Sequence, residues 1–173
     1  MSAHLKNWRK FEMIQSTTQI KWLSESDIAS LNESLIDAQT PMEPVGVLNY
    51  SGLSSAQHRA MQYQSYAYAD DIFILGAVFS EALVQNHPFF NANKRTAAAA
   101  VMVFLLINGV RLTAPWQQVV DMFEGLAKHT YDLDDFGCWL KHWGVKFDVE
   151  SIDDLASDAY ENNNILQSKF LKL

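Results

Sequence analysis

Two strongly apolar stretches, Asp70–Gln85 and Lys94–Asn108, separated by only eight residues, constrain this chain more than any other feature. In the first, Ile72, Leu75, Phe79, Ala82 and Leu83 fall on one helical stripe, and Ile74, Ala77 and Val78 widen it. A helix apolar over so much of its circumference has to be buried, so the pair predicts two central helices. Gly109 ends the second, because glycine takes the left-handed conformation at a helix C-terminus without strain. The longest uninterrupted apolar run, Ala97–Ile107, has eleven residues. That is too short to cross a bilayer, so no membrane association is expected.

The remaining spacing is also helical. Ser24–Ala38 reads as a helix with Ser24 as N-cap, Asp27 in its first turn and Ile28, Leu31, Leu35 and Ile36 on one face. Further helices are expected at about Ser55–Tyr66, from Pro115 to near His129, and over Leu133–Trp143 behind Asp132. Pro41 and Pro44 interrupt regular structure, and the apolar, β-prone run Val45, Gly46, Val47, Leu48 and Asn49 is the one candidate strand or hairpin arm. The expected fold is all-α with one short extended element. Residues 1–21 form an N-terminal arm, 22–143 the main domain, and 144–173 a C-terminal helical extension with a helix capped by Ser151. Trp8, Phe11 and Ile14 give the arm an apolar side, for which core packing is the simplest use.

Charge and cysteine content narrow the function classes. Thirteen Lys and Arg against twenty Asp and Glu give a net charge of -7. Residues 121–161 alone hold eleven acids and three lysines. A chain built mainly to grip nucleic-acid backbone has the opposite balance, so no nucleic-acid partner is expected. Cys138 is the single cysteine, which excludes an internal disulfide and a thiolate metal cluster. The first residues, MSAHLKNWRKFEM, lack the apolar core of a secretion signal, and a cytoplasmic location is the expectation. His58, His129 and His142 have no zinc-type spacing.

The chemistry concentrates in the connection between the central helices, His87-Pro-Phe-Phe-Asn-Ala-Asn-Lys-Arg-Thr96. Its second half opens a helix, where unpaired N–H groups and the macrodipole favour an anion. Lys94 and Arg95 stand in that first turn, at the positive end of the dipole, where cations are mildly unfavourable unless something negative binds. Arg95 offers a planar fork suited to phosphate oxygens, and Asn93 adds an amide. His87, at the other end, can exchange a proton near neutral pH. A base facing an anion hole has the parts needed to move a phosphoryl-containing group onto a hydroxyl. The competing reading is a polar connection whose charges face solvent.

The stretch HPFFNANKRTA resembles the signature of the Fic/Doc family, usually His-x-Phe-x-(Asp/Glu)-Gly-Asn-Gly-Arg-x-x-Arg, and is nearest to its death-on-curing (Doc) branch. The similarity runs over about Trp22–Trp143. It implies that 22–143 is a catalytic domain of Fic/Doc type, using ATP as substrate with Mg²⁺. His87 matches the histidine that deprotonates the target hydroxyl, and Phe89 the aromatic that anchors the loop. Asn93, Lys94 and Arg95 match nucleotide and phosphate positions, and Val45–Asn49 the flap that docks a target by strand addition. Lys94 replaces the second Gly of adenylylating members, as in Doc. That replacement implies γ-phosphate transfer to a protein Ser or Thr hydroxyl, on a translation factor by resemblance, and an antitoxin as a further partner.

This sequence departs from the pattern in two places. Asn91 stands where an Asp or Glu helps to hold Mg²⁺, and a neutral amide oxygen is a weaker ligand for a hard cation. Ala98 replaces the second Arg, which Doc also lacks. Ser157, Glu161 and Asn162 fit a (Ser/Thr)-x-x-x-Glu-(Gly/Asn) pattern that is inhibitory in some Fic proteins. Such a Glu normally pairs with the second motif Arg, which is Ala98 here, so Arg95 is the substitute partner on that reading; the other reading of the stretch is a solvated helix in an acidic tail. Three functions stay open on the sequence: Doc-like phosphorylation, Fic-like AMP transfer, and a degraded module that keeps the groove without turnover.

Overall fold

The computed structural model describes residues 19–67 and 70–147, so the N-terminal arm up to residue 18, the C-terminal extension beyond 147 and the Ser157–Asn162 pattern lie outside the described residues. Six helices follow one another among these residues: α1 (Glu25–Gln39), α2 (Tyr50–Ala67), α3 (Ile72–Asn86), α4 (Asn93–Ile107), α5 (Trp116–Ala127) and α6 (Leu133–Trp143). Two short strands, β1 (Val110–Leu112) and β2 (Gly144–Lys146), complete the fold. The all-α expectation holds.

Local chemistry fixes the helix starts. Ser24 caps α1 in a reciprocal box with Asp27, and Asp132 caps α6 in the same way with Asp135. Asp71 caps α3 by accepting from the Phe73 N–H. Helix α2 begins at Tyr50, five residues before the periodicity places it, because Asn49 Oδ1 accepts from the Gly52 N–H and supplies the cap.

Helix α3 is the centre of the molecule. It packs against α2, α4 and α6, and ten of its fifteen residues are buried. Phe79, Phe104, Phe123 and Phe136 fill the core, with Trp22 stacked on Phe104 at 4.9 Å. Asn108 ties the start of the chain to the end of α4, accepting from the Lys21 N–H and donating to the Lys21 carbonyl. The described fold thus closes around α3 and α4, the pair the sequence placed there.

The extended element differs from the sequence expectation. Residues 45–49 form no strand; Val47 makes one isolated antiparallel bridge, to Phe89. Pro44 and Gly46, at φ 123, break the ladder before Val47, and the helix that begins at Tyr50 ends it after. The only sheet among the described residues is β1–β2, with Val110 opposite Lys146 and Leu112 opposite Gly144. Residues 144–146, expected to open the extension, pair with β1. Three-residue strands carry too little alternation to be read from sequence.

Candidate active site

The His87–Thr96 connection is held rigidly at both ends. His87 caps α3 in the left-handed conformation, at φ 44 and ψ 57, with its side chain exposed. Phe89 is driven into the core, only 2% exposed. Asn93 closes the loop on itself: its Nδ2 donates to the Phe89 carbonyl at 2.9 Å and its Oδ1 accepts from the Phe89 N–H at 3.0 Å. From α1, the buried Asn32 donates to the Asn91 carbonyl at 2.9 Å and to Thr96 Oγ1 at 3.0 Å. Both ends of the connection are therefore tied to neighbouring backbone and helix.

Helix α4 starts without a side-chain cap. Ala92, at φ 60, is its N-cap residue, and none of the described residues accepts from the N–H groups of Asn93, Lys94 or Arg95. These three residues line a pocket of about 470 Å³ together with His87, Phe90, Asn91, Thr40 and Glu43. Uncapped N–H groups at the positive end of a four-turn helix whose first residues line a pocket have the chemistry to receive an anion. His87 borders the same space.

Both cations of the first turn already have carboxylate partners. Lys94 Nζ pairs with Glu124 of α5, which also takes Lys128 Nζ at 3.1 Å. Arg95, its side chain 8% exposed, donates from Nη2 to Glu43 at 2.8 Å. Its Nη1 reaches Gln39 Oε1 at 3.2 Å and Thr40 Oγ1 at 3.3 Å. The hydrogen bond from Lys94, then that from Lys128, holds the Glu124 carboxyl below its ordinary value of 4.5. A carboxylate with a lowered folded pKa contributes stability that is present above its unfolded value and lost as pH falls through the folded one. The melting temperature should accordingly drop as pH falls below 4.5, and Glu124→Gln should flatten part of that drop while lowering the plateau above it. Identical acid profiles for the two proteins would show that the pair does not contribute.

The segment from α1 to α2 runs antiparallel along this connection, contact by contact. Gln39, Thr40 and Glu43 meet Arg95; the Pro44 carbonyl accepts from Asn91 Nδ2 at 3.1 Å; the Gly46 carbonyl accepts from the Phe90 N–H; and the N–H groups of Leu48 and Asn49 reach the Pro88 carbonyl. In this pattern Val47 and Phe89 are a non-hydrogen-bonded pair, so the N–H and C=O of Val47 face away from Phe89, towards the open edge. Met42, Val45, Leu48 and Phe90 leave large apolar side chains exposed on the same rim.

Asn91 and Asn93 both make hydrogen bonds that tie the connection together. The Asn93 amide accepts from and donates to Phe89, which leaves its second Nδ2 hydrogen and its backbone N–H for an anion. The Asn91 amide is spent on Pro44, a bond no carboxylate could donate, and its Oδ1 receives no donor from the described residues. No three described His, Cys, Asp or Glu residues are grouped to hold a metal ion. Glu43, the one carboxylate lining the pocket, is committed to Arg95. The side-chain oxygen this leaves for a Mg²⁺ ion is the neutral Asn91 Oδ1, so nucleotide phosphates and water would have to supply its other ligands. Glu43, Asn32 and Glu124 went unremarked in the sequence because each acts across 30 to 64 residues, with no local pattern to mark it.

A helical core with an uncapped helix start facing a histidine defines a class that the comparisons identify. Residues 22–105 match the model of the Fic/DOC family. The chain is also similar to the protein named Toxin Doc of Mycolicibacterium smegmatis, with 28% identity over 122 residues, covering 69% of this chain and 91% of the relative. No helix among the described residues is long and apolar enough to cross a membrane.

Proposed function

We propose that this chain is a Doc-type toxin that transfers the γ-phosphoryl group of ATP to a Ser or Thr hydroxyl of a target protein, and that a separate antitoxin chain restrains it. The observation carrying this reading is the uncapped start of α4, whose three open N–H groups share a pocket with His87. The N–H groups of Asn93, Lys94 and Arg95 hold phosphate oxygens and stabilise charge that grows on them during transfer. His87 takes the proton of the target hydroxyl. The freed oxygen attacks the γ-phosphorus, the bond to the β-γ bridging oxygen breaks, and ADP leaves with the electron pair. An extended target segment pairs with the open edge of Val47 and brings its hydroxyl to the pocket.

Lys94 and Ala98, which depart from the adenylylating pattern in the direction of Doc, favour phosphoryl over AMP transfer. The test is incubation with a bacterial lysate and ATP labelled in turn at the α- and γ-phosphate. Label reaching a protein from the γ position alone is expected. Label from the α position would make the chain an AMP transferase, and label from neither would leave a binding module.

A further inference from the structure

We infer that Glu43 is an internal competitor for the anion site, one that a phosphate group must displace from Arg95, so that anion binding unfastens the segment carrying Val47. This inference rests on the anion-binding reading of the pocket. Glu43 lines that pocket, and its Oε2 lies 2.8 Å from Arg95 Nη2. A phosphate on the N–H groups of the first turn of α4 brings a second negative group to the same guanidinium, and two anions there disfavour each other.

Burial decides which partner gives way. The Arg95 side chain is 8% exposed and held on its other nitrogen by Gln39 and Thr40, whereas the Glu43 side chain is 37% exposed. Arg95 is the more deeply buried and more fully partnered member of the pair; Glu43 is the more exposed one. The carboxylate also belongs to a turn closed by the Glu43 N–H on the Thr40 carbonyl at 2.8 Å. That turn is the first contact in the antiparallel row leading through Pro44 and Gly46 to Val47. Releasing Glu43 removes the charged fastening at one end of the row and leaves the neutral ones. Coupling of this kind is reciprocal: whatever holds the turn closed weakens the anion, by the factor through which the anion opens the turn.

The test is titration calorimetry of the full chain and of Glu43→Gln with inorganic tripolyphosphate in metal-free buffer. Hydrogen exchange at the Glu43 amide is followed in parallel on the unsubstituted chain. The glutamine keeps the shape and removes the charge, and its melting curve verifies the fold. Binding at least about fivefold tighter in Glu43→Gln is expected. So is faster exchange of the Glu43 amide when tripolyphosphate is added. Equal or weaker binding by Glu43→Gln, with the unsubstituted chain still binding, overturns the competitor role and leaves the anion site standing. Failure of both proteins to bind removes the anion site and this inference together.

Discussion

Replacing His87 by alanine is expected to lower phosphoryl transfer to the target by about 10²–10⁴-fold, the range for removing a positioned general base. The melting temperature should stay almost unchanged. The side chain is exposed and makes no hydrogen bond with the described residues, so little packing is lost. The backbone gives a second handle. At φ 44 and ψ 57 this residue occupies a helix-terminal position where glycine is unstrained. A histidine held there costs stability that glycine would not. His87→Gly removes the same imidazole while relieving that strain, and should be equally inactive with its fold intact. Substantial transfer by either variant, measured with the same labelled ATP, would remove His87 from the mechanism.

Replacing Phe89 by alanine should act through the opposite route. The ring is 2% exposed and packs in the main core, and deleting a buried phenyl group destabilises a protein by about 3–5 kcal/mol. That is a large share of the roughly 5–15 kcal/mol available to a domain. Phe89 also carries the backbone groups that hold the Asn93 amide and bridges Val47, so the His87–Thr96 connection and the segment around Val47 share one anchor. Phe89→Leu keeps most of the burial and should recover most of the stability. Urea denaturation of the two variants separates these effects. Equal midpoints for Phe89→Ala and the unsubstituted chain would show that the anchor is not where the structure puts it.

How legible the molecule was in its sequence depended on the distance over which each feature acts. The central helices, the Ser24 cap, the helix behind Asp132 and the stop at Gly109 follow from residues within one or two turns of each other, and the structure has them. The β1–β2 pair joins residues more than thirty apart through three-residue strands, and nothing local announced it. The site divides in the same way. Lys94 and Arg95 are prominent because cations are out of place at a helix start; their partners Glu124 and Glu43 are ordinary surface acids until the fold brings them in.

Asn91 shows a further limit. By resemblance it is a weakened metal position, whereas its amide donates to the Pro44 carbonyl. An aspartate there would set a carboxylate against that carbonyl oxygen. Asn91→Asp therefore tests the fastening of the flap together with any metal affinity, and gain or loss of activity has to be read against both.

The central claim, that the start of α4 holds phosphate in front of His87, is tested most directly by nuclear magnetic resonance of the labelled protein during titration with ATP. The account predicts that the amide signals of Asn93, Lys94 and Arg95 and the imidazole signals of His87 shift together and saturate at one ATP concentration. Saturating shifts confined to any other part of the fold, with these four residues unmoved, would contradict it.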